Sequence, residues 1–478
     1  MSGSSTVRTL LPLLAVVVAI NFITIPAEEY RGDAESVRVE TVTLLTEGKW
    51  AVPEAMALQF GPRGNYFFQN ASGAWYPKYG ALNTVIYLPP LWLEKVATGK
   101  LGFDTEHTFW LNLLNLLLSG ATAAYLALLA LRYTKSIVIV WLFVLASFYG
   151  TFWWNYLRAH SFETYLPLFV LAFFYHLVTA NDRRGLWHLM LAGAFLGLLC
   201  LCKTAFLVFA LAPIVLLARK DERKVSRWSA FLAPVFVAVA ILLYANWYRF
   251  GSPFATGYTQ WNAERVLFTW HVWPAIRGYL FDPTESFFVH FPLLIFAWAA
   301  WPMFYKKHRF EARAALLLGS LLFAISVARP DWRGGSCYGP RYLLPALPLL
   351  SLPFIYVLEW LGKLERPGLQ WLLGGVVGLV LGWSVLLQAA MNSLPFYFWY
   401  ELSALANDDE SAAGNYLDAH PFGAINLDFI RYARGGSARF ATEFAGKLSP
   451  AAFARLEALK METRFNYYWF RYSVEPKP

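Results

Sequence analysis

The amino-acid sequence predicts an all-α, polytopic membrane protein with about eleven transmembrane helices. Of its 478 residues, 58% are hydrophobic and only 15% are charged. The apolar residues form runs of the length that crosses a bilayer, about 17 to 25 residues. The Lys and Arg residues are dispersed in short loops between these runs, which is the distribution that sets membrane topology. The net charge of +9 therefore does not indicate nucleic-acid binding.

The apolar runs give the predicted helices in chain order. The first is expected to be a retained signal anchor, because no convincing cleavage site follows it and further spans do. A further apolar segment, 81–97, contains Pro89 and Pro90 and several polar residues, which favours a helix that lies in the interface or re-enters the membrane. The predicted spans are 9–27, 108–131, 135–152, 161–180, 186–202, 204–218, 228–247, 286–304, 312–328, 340–361 and 369–391.

The charges of the loops predict the orientation of these helices. If 81–97 does not cross, the basic residues collect on the side of the N-terminus, and the positive-inside rule makes that side cytoplasmic. If it crosses, the basic loops 219–227 and 306–313 lie outside, against that rule. The residues on the predicted cytoplasmic side are Arg8, Arg132, Lys135, Arg183, Arg184, Arg219, Lys220, Arg223, Lys224, Arg227, Lys306, Lys307, Arg309, Arg313, Lys363 and Arg366.

This orientation predicts two parts of the chain. Residues 1–391 form a transmembrane domain, in which 28–107 is an external loop with interfacial helices. Residues 392–478 form an external tail that is partly helical. Within the tail, Ser449 suits an N-cap and Pro450 the first helical position, so a helix is expected to begin there.

An acidic cluster directly follows the first span. Asp33, Glu35 and Glu40 stand where a carboxylate is partly desolvated, which tunes its pKa and its strength as a base. A solvated loop acid is the ordinary alternative. In a helix that begins near Asp33, Glu40 lies two turns on and roughly on the same side, whereas Glu35 points away. The sequence leaves open which of the three is a general base and which an orienting partner.

Two lysines are placed where a lipid phosphate would lie. Lys78, in Tyr76-Pro77-Lys78-Tyr79-Gly80, is a compact cation between aromatic residues at headgroup depth. An interfacial anchor of snorkelling Lys and Tyr is an equal alternative. Lys203 interrupts an apolar stretch between two spans, so it either snorkels to the headgroups or binds a phosphate.

The turn 153–163 brings a cation, an imidazole and a carboxylate between two membrane helices. Arg158 and Glu163 either pair structurally or act on a ligand. His160 and Glu163 are spaced to share a helix face that points into a cavity. Two such ligands are too few to indicate a metal site, and the three cysteines imply neither a zinc site nor a disulfide framework.

The segment 332–342 is the most specific string in the chain. Its glycines and Pro340 predict a turn with exposed backbone N–H groups, followed by a helix. Arg333 and Arg341 flank the predicted N-terminus of that helix, where the dipole and the free donors favour an anion. A structural turn does not need Arg341 at the start of a buried span, so the string indicates phosphate recognition, with Tyr342 beside it.

Taken together, these strings resemble the GT-C superfamily of integral-membrane glycosyltransferases, which includes protein O-mannosyltransferases and the bacterial aminoarabinose transferases of lipid A. The resemblance covers most of 9–391. Its principal signature is an acidic residue soon after the first span, here Gly32-Asp33-Ala34-Glu35 followed by Leu44-Leu45-Thr46-Glu47-Gly48. Also similar are 76–80, 158–163, 335–341 and Asn246-Trp247-Tyr248-Arg249-Phe250-Gly251-Ser252-Pro253.

The resemblance implies an inverting transferase whose donor is a sugar on a polyprenyl phosphate, and which acts on an acceptor hydroxyl of a lipid, glycan or protein. Asp33 becomes the general base, with Glu35 and Glu40 as competitors. The leaving phosphate would be bound by Lys78, Arg158, Lys203, Arg333 and Arg341. His160, Glu163 and Tyr342 would assist at the acceptor or the phosphate.

The implied location is a plasma or inner membrane, with the active face external or periplasmic. No cofactor is required, and a divalent metal is allowed but not implied. Two other readings of the sequence stay open. A transporter or flippase of lipid-linked sugars also needs cationic pockets and many spans, although its polar residues belong at midplane depth. A non-catalytic subunit of an envelope complex would use the tail for docking.

Overall fold

The first apolar run forms helix α1, Gly3–Ile23, and most of the chain that follows is helical. The computed structural model describes residues 3–27, 33–60, 66–101, 109–158, 160–183, 185–213, 224–261, 268–334, 337–395, 398–407, 413–467, 469 and 474. The predicted basic loop at Arg219, Lys220 and Arg223 lies outside these ranges.

Helices α2 to α10 build the N-terminal half around one small sheet. They are α2 Asp33–Glu47, α3 Glu54–Phe60, β1 Phe67–Gln69, β2 Trp75–Pro77, α4 Ala81–Thr98, α5 Phe109–Tyr133, α6 Ile137–Tyr149, α7 Trp153–Arg158, α8 Phe162–Arg183, α9 Leu186–Cys202, the 3₁₀ helix Thr204–Ala210 and α10 Lys224–Phe250. The second half contains α11 Gly257–Trp261, α12 Trp273–Phe281, α13 Phe287–His290, α14 Leu293–Lys307, α15 Arg309–Val327, α16 Leu347–Leu350, α17 Phe354–Leu361 and α18 Pro367–Ser393.

Five of the described helices are long and apolar enough to cross a membrane. They are Phe109–Tyr133, Phe162–Asp182, Val225–Phe250, Arg309–Val327 and Pro367–Ser393. Shorter apolar helices cover Leu10–Ile23, Ile137–Tyr149, Leu186–Cys202, Thr204–Pro213 and Leu347–Leu361. Each predicted span except 286–304 overlaps one of these helices, so the polytopic, helical character of the protein is confirmed.

Two predicted spans are broken by proline. The span 286–304 is divided into α13 and α14 at Phe291 and Pro292, and Pro292 is the N-cap of α14. The span 340–361 begins with turns, and its second helix starts only after Pro353. Proline lacks an N–H group and disfavours a helical conformation in the residue before it, which explains both breaks. The predicted span at 204–218 also differs, because it starts as a 3₁₀ helix.

Helices α9 and α10 pack closely through small residues. A Cβ atom on Gly193 would lie 2.1 Å from the carbonyl oxygen of Phe231, and one on Gly197 would lie 2.7 Å from the Cβ of Ala238. Glycines four residues apart let two helix backbones approach, which is a common device between membrane helices. This contact fixes the end of α9, where Lys203 follows.

In the segment after the first span, the described residues include three helices and one hairpin. Strands β1 and β2 pair antiparallel, with Phe68 opposite Tyr76, so the all-α prediction misses this small sheet. Helix α4 runs without interruption through Pro89 and Pro90, and it is not among the candidate spans. Helix α2 packs against α4, which brings the acidic cluster beside the hairpin.

The C-terminal tail forms a cluster of short helices. They are α19 Phe398–Asn407, α20 Ala413–Ala419, α21 Phe422–Ala433, α22 Ala438–Glu443, the 3₁₀ helix Ala445–Lys447 and α23 Pro450–Glu462. The predicted start of the last helix is confirmed, because the Ser449 hydroxyl accepts a hydrogen bond from the backbone N–H of Ala452 at 3.2 Å. Helix α21 packs against the end of α18, which docks the cluster on the membrane domain.

Candidate active site

A cavity of about 190 Å³ lies where α2, the hairpin, α8, the α9 end and the segment 329–342 meet. Its lining contains four cations and three carboxylates from the described part of the chain, which leaves one net positive charge. The cations are Lys78, Lys203, Arg329 and Arg341, and the carboxylates are Asp33, Glu163 and Asp331. Such a cavity favours an anionic ligand.

Asp33 stands at the first position of α2 and faces the cavity. Its carboxylate lies 3.1 Å from a guanidinium nitrogen of Arg341 and 3.9 Å from Nζ of Lys78. Burial disfavours the charged form, but the positive charges of Arg341 and Lys78 outweigh it and lower the pKa of Asp33 to about 2. The carboxylate is therefore ionised at neutral pH and able to accept a proton.

Glu35 and Glu40 lie on the same helix but do not line the cavity. Glu35 pairs with Arg38 one turn away, at 2.7 Å, and both side chains are buried. Glu40 pairs with Arg249 at 3.0 Å and accepts a hydrogen bond from Thr84. Glu40 is on the predicted side of the helix but about 10 Å further along its axis, which places it beyond the cavity. Burial raises the pKa of Glu40 although Arg249 opposes the shift.

Arg249 determines where Lys78 points. It donates hydrogen bonds to the carbonyl oxygens of Pro77, at 2.8 Å, and of Tyr79, at 2.7 Å. Gly257 packs from the other side, where a Cβ atom would lie 2.1 Å from Cα of Lys78. In the sequence, Arg249 stood out only as part of a family-like string, and its contacts on both sides of Lys78 are seen only in the structure.

The ammonium group of Lys78 lies in an aromatic cage. Tyr79, Tyr66 and Tyr258 have ring centroids 5.2, 5.4 and 5.9 Å from Nζ. Burial lowers the pKa of Lys78, and nearby Asp33 opposes this shift. A desolvated cation with aromatic walls binds an anion more strongly than an exposed one.

Lys203 lines the cavity from the connection between α9 and the 3₁₀ helix. Its Nζ lies 4.6 Å from the ring centroid of Tyr342, and it forms no salt bridge with any residue that the structure describes. Burial and the like charges of Arg329 and Arg341 lower its pKa to about 8. Asn83 donates a hydrogen bond to the carbonyl oxygen of Cys202 at 3.1 Å, which holds this connection in place.

The segment 329–342 contributes a network of charges around Tyr342. Arg329 forms two hydrogen bonds with Asp331, each 2.9 Å, and its guanidinium carbon lies 4.5 Å from the Tyr342 ring centroid. The Tyr342 hydroxyl donates to Asp331 at 3.2 Å, and Arg341 donates to the carbonyl oxygen of Gly334 at 2.6 Å. The sequence analysis did not select Arg329 and Asp331 as site residues. The available signal was two charged residues directly before a Gly-rich turn.

One expectation about this segment is wrong. Residues 338–346 form turns, and the helix begins only at Leu347, so Arg341 does not flank a helix N-terminus. Because Pro340, Pro345 and Pro348 follow in close succession, a regular helix cannot form earlier. An anion here would meet the side chain of Arg341 rather than a helix dipole.

The turn 153–163 divides between two environments. Glu163 lies in the cavity, 3.8 Å from Arg341. His160 precedes α8, so it does not share a helix face with Glu163 as expected, but both residues border a small adjacent cavity together with Asp33. Arg158 donates to the carbonyl oxygen of Asn466 at 3.1 Å, and it does not line the cavity. No Arg158–Glu163 pair is seen, because Arg158 is turned towards the tail.

Arg333 also lies outside the cavity. Its side chain is 60% exposed and pairs with Asp282 at 3.3 Å. It stacks against Trp332, whose ring centroid lies 5.1 Å from the guanidinium carbon. Within the described ranges, no three His, Cys, Asp or Glu side chains come together as a metal ion would require.

Solved structures of other proteins share the fold of this chain. No family model and no curated protein matches the sequence. The apo oligosaccharyltransferase of Archaeoglobus fulgidus aligns with a TM-score of 0.54 at 12% identity, over 86% of this chain and 60% of that one. The oligosaccharyltransferase AglB from the same organism, in complex with an inhibitory peptide and a dolichol-phosphate, aligns at 0.51 and 11% identity over the same shares. The chain thus spans 60% of the length of these proteins.

A further structure, ArnT from Cupriavidus metallidurans bound to undecaprenyl phosphate, aligns with a TM-score of 0.47 at 13% identity, over 90% of this chain and 71% of that one. At 11 and 12% identity, the two archaeal structures show a shared fold, which agrees with the resemblance suggested by the sequence.

Proposed function

We propose that this protein is a glycosyltransferase that moves a sugar from a polyprenyl phosphate to an acceptor hydroxyl on the outer face of the membrane. The observation that carries the proposal is Asp33 in one cavity with Lys78, Lys203 and Arg341. A carboxylate and several desolvated cations are the groups that a transfer from a phosphate ester requires.

The cations bind the donor phosphate. Lys203 has no carboxylate partner among the described residues, so its charge is available to the ligand. Arg341 and Lys78 already neutralise Asp33, and a bound phosphate shares them. As the bond between the anomeric carbon and the phosphate oxygen breaks, negative charge grows on the leaving polyprenyl phosphate. Fixed cations in a cavity with little water stabilise that charge.

Asp33 accepts the proton of the acceptor hydroxyl. The acceptor oxygen forms the new bond to the anomeric carbon from the face opposite the phosphate, so the configuration inverts. The proton moves to Asp33, and the sugar leaves the lipid carrier. A pKa of about 2 makes Asp33 a weak base while Arg341 and Lys78 pair with it. Donor phosphate that draws Arg341 and Lys78 away from the carboxylate raises its pKa, and thereby couples donor binding to base strength.

The other site residues take supporting roles. Glu163 lies 3.8 Å from Arg341 and balances its charge when the phosphate leaves. His160 borders the small cavity beside Asp33 and is placed to contact the acceptor. Because Glu35 and Glu40 are buried in ion pairs outside the cavity, we assign the base to Asp33 alone.

The proposed location follows from the loop charges. The positive-inside rule places the N-terminus in the cytoplasm and the cavity on the external or periplasmic face of a plasma or inner membrane. The membrane domain, 1–391, carries out the transfer, and the tail, 392–478, covers its external side.

The test uses the purified protein in lipid nanodiscs with a panel of polyprenyl-phosphate hexoses and pentoses. Membranes from a strain that lacks the gene supply the acceptor. We expect transfer of one sugar, release of polyprenyl phosphate, and loss of both in Asp33→Asn. If the protein carries the labelled donor across proteoliposome membranes without cleaving it, the transporter reading replaces this proposal.

A further inference from the structure

The C-terminal tail reaches into the cavity. Tyr400, on α19, is one of the lining residues, although the rest of the lining comes from the membrane domain and its loops. Its side chain is 40% exposed, which leaves ring surface for a ligand. Tyr66, from the loop before β1, lines the same cavity. Burial, Asp33 and Tyr400 raise the pKa of Tyr66 to about 12, so the Tyr66 phenol stays a protonated donor at neutral pH.

The position of Tyr400 is fixed by packing on the membrane domain. Helix α19 packs on α21 through Phe398 and Phe429, whose ring centroids are 4.4 Å apart. Helix α21 in turn contacts the end of α18 at Gly423, where a Cβ atom would lie 2.1 Å from the carbonyl oxygen of Leu387. Asn426 adds a hydrogen bond to the carbonyl oxygen of Met391 at 3.2 Å. The tail thus docks as a fitted part of the fold.

The end of the tail is attached on the side where α1 ends. The Asn466 side chain accepts a hydrogen bond from the N–H of Ala27 at 2.8 Å, and its backbone carbonyl accepts from Arg158 at 3.1 Å. Trp469 donates to the carbonyl oxygen of Phe22 at 2.8 Å. The tail is therefore attached both near the end of α18 and near the end of α1, shortly before Asp33.

The cations of the cavity continue into an apolar crevice that Tyr400 does not line. This crevice shares Lys203, Arg329, Arg341 and Tyr342 with the cavity, and also Glu163 and Leu166. Its remaining walls are mostly apolar and include Phe206, Leu322 and Ile325. A phosphate joined to a hydrocarbon chain fits this side. Tyr400 comes from the tail and lines the cavity but not this crevice, so it lies on the side that is left for the acceptor.

We propose that the tail forms the acceptor side of the site and that Tyr400, with Tyr66, binds a sugar ring of the acceptor, so that the acceptor is a glycan or a glycosylated lipid. This inference rests on the proposed transferase function. The C–H face of a pyranose is apolar and packs on an aromatic ring, while its hydroxyls bond to phenol oxygens and water. A Tyr pair supplies both contacts with few rotatable bonds to order.

The experiment compares Tyr400→Ala and Tyr400→Phe with a matched control, Phe453→Ala. Phe453 is also 40% exposed and lies on the tail helix α23, away from the cavity lining. Membranes from the deletion strain are titrated as acceptor, and the same membranes are fractionated into glycolipid, glycan and protein. Undecaprenyl phosphate binding to the purified variants is measured in parallel by fluorescence quenching.

We expect Tyr400→Ala to raise the acceptor amount needed for half-maximal transfer about three- to tenfold. The concentration of sugar donor at half-maximal rate should change less than about twofold, because Tyr400 lies outside the cationic crevice. Tyr400→Phe keeps the ring and should retain most of the acceptor affinity, and Phe453→Ala should match the wild type. Transfer should go to the glycolipid or glycan fraction.

Several results would overturn the inference. The first is that Tyr400→Ala needs no more acceptor than the wild type for half-maximal transfer. The second is that Tyr400→Ala weakens undecaprenyl phosphate binding as much as it weakens acceptor use. The third is that the sugar is transferred to the protein fraction. If the wild type cleaves no donor and binds no undecaprenyl phosphate, the proposed function itself fails. Size-exclusion chromatography shows whether Tyr400→Ala folds. If it does not, Tyr400→Phe and Tyr400→Leu are compared instead, provided that both fold as the wild type does.

Discussion

Asp33 and Arg341 form a salt bridge of 3.1 Å inside the cavity, between the first residue of α2 and a segment far along the chain. Arg341 also approaches Glu163 at 3.8 Å, so one guanidinium group serves two carboxylates. A phosphate that enters the cavity competes for this cation and changes the proton affinity of Asp33. The pair thereby links the two halves of the proposed reaction.

Replacement of Asp33 tests the base directly. Asp33→Asn should lower the transfer rate about 10²- to 10⁴-fold, because no general base remains to take the proton from the substrate hydroxyl. The protein should still insert and fold, with a somewhat lower melting temperature, because Arg341 loses one carboxylate partner but keeps Glu163 nearby. Radiolabelled sugar transfer measures the rate. Glu47→Gln, at the exposed end of the same helix, is the control and should retain activity. Substantial transfer by Asp33→Asn would rule out this role.

Glu40 should prove structural rather than catalytic. Glu40→Gln leaves Arg249 buried without its carboxylate and should lower the free energy of unfolding by about 3 kcal/mol. Thermal unfolding followed by intrinsic fluorescence checks this, with Asp33→Asn as the comparison. The opposite pattern, normal stability with abolished transfer, would make Glu40 the base and contradict the assignment made from its position.

Binding of phosphate should weaken at alkaline pH. The folded-state pKa of Lys203 is about 8, below the ordinary value of 10.5, so the lysine loses its charge as pH rises through about 8. Affinity for undecaprenyl phosphate should therefore fall between about pH 7.5 and pH 9.5, because a neutral lysine does not attract the anion. Lys78 has a lowered pKa as well and contributes in the same direction.

The matched variant for this prediction is Lys203→Arg. Arginine stays charged throughout this range, so the fall in affinity should become smaller. Microscale thermophoresis at each pH, with the protein in nanodiscs, gives the dissociation constants. An identical pH profile in both proteins would show that Lys203 does not hold the phosphate.

Gly257 should be needed to place Lys78. Gly257→Ala puts a Cβ atom 2.1 Å from Cα of Lys78, and the backbone there must shift. Displacement of a binding group by about 1 Å can cost about 10²-fold in rate. Gly374→Ala, on α18, has no heavy atom within 4 Å of the added carbon and should be silent. The ratio of their transfer rates is the measurement, and equal rates would contradict the positioning role.

Some of the site was predictable because its signals are local. Lys78 and Lys203 each interrupt or border an apolar run, and a cation is costly at membrane depth unless it serves a purpose. Asp33 follows the first span, and helix α2 begins at it. The structure places all three in one cavity. The start of α23 at Ser449 was predictable for the same reason, since an N-cap depends on a few neighbouring residues.

Other residues could not be assigned from their neighbours. Arg158 and Arg333 stand in the right turns, but their partners, Asn466 and Asp282, are distant in sequence and turn them away from the cavity. Tyr400 lies in a tail with no chemical motif, and only the docking of α21 on α18 brings it to the cavity wall. Such placements depend on packing between distant elements.

The sequence by itself determined that the chain is a helical, multi-pass membrane protein. A backbone in lipid must satisfy its hydrogen bonds within each span, so each span is a helix, and its lipid-facing side chains make it a long apolar run in the sequence. The tertiary structure decided which carboxylate faces the cations. Glu35 and Glu40 carry the same chemistry as Asp33, but Arg38 and Arg249 bind them elsewhere. The pair of Glu35 with Arg38 follows from spacing along one helix. The partner of Glu40 does not, because Arg249 belongs to a helix far along the chain that only packing brings beside α2.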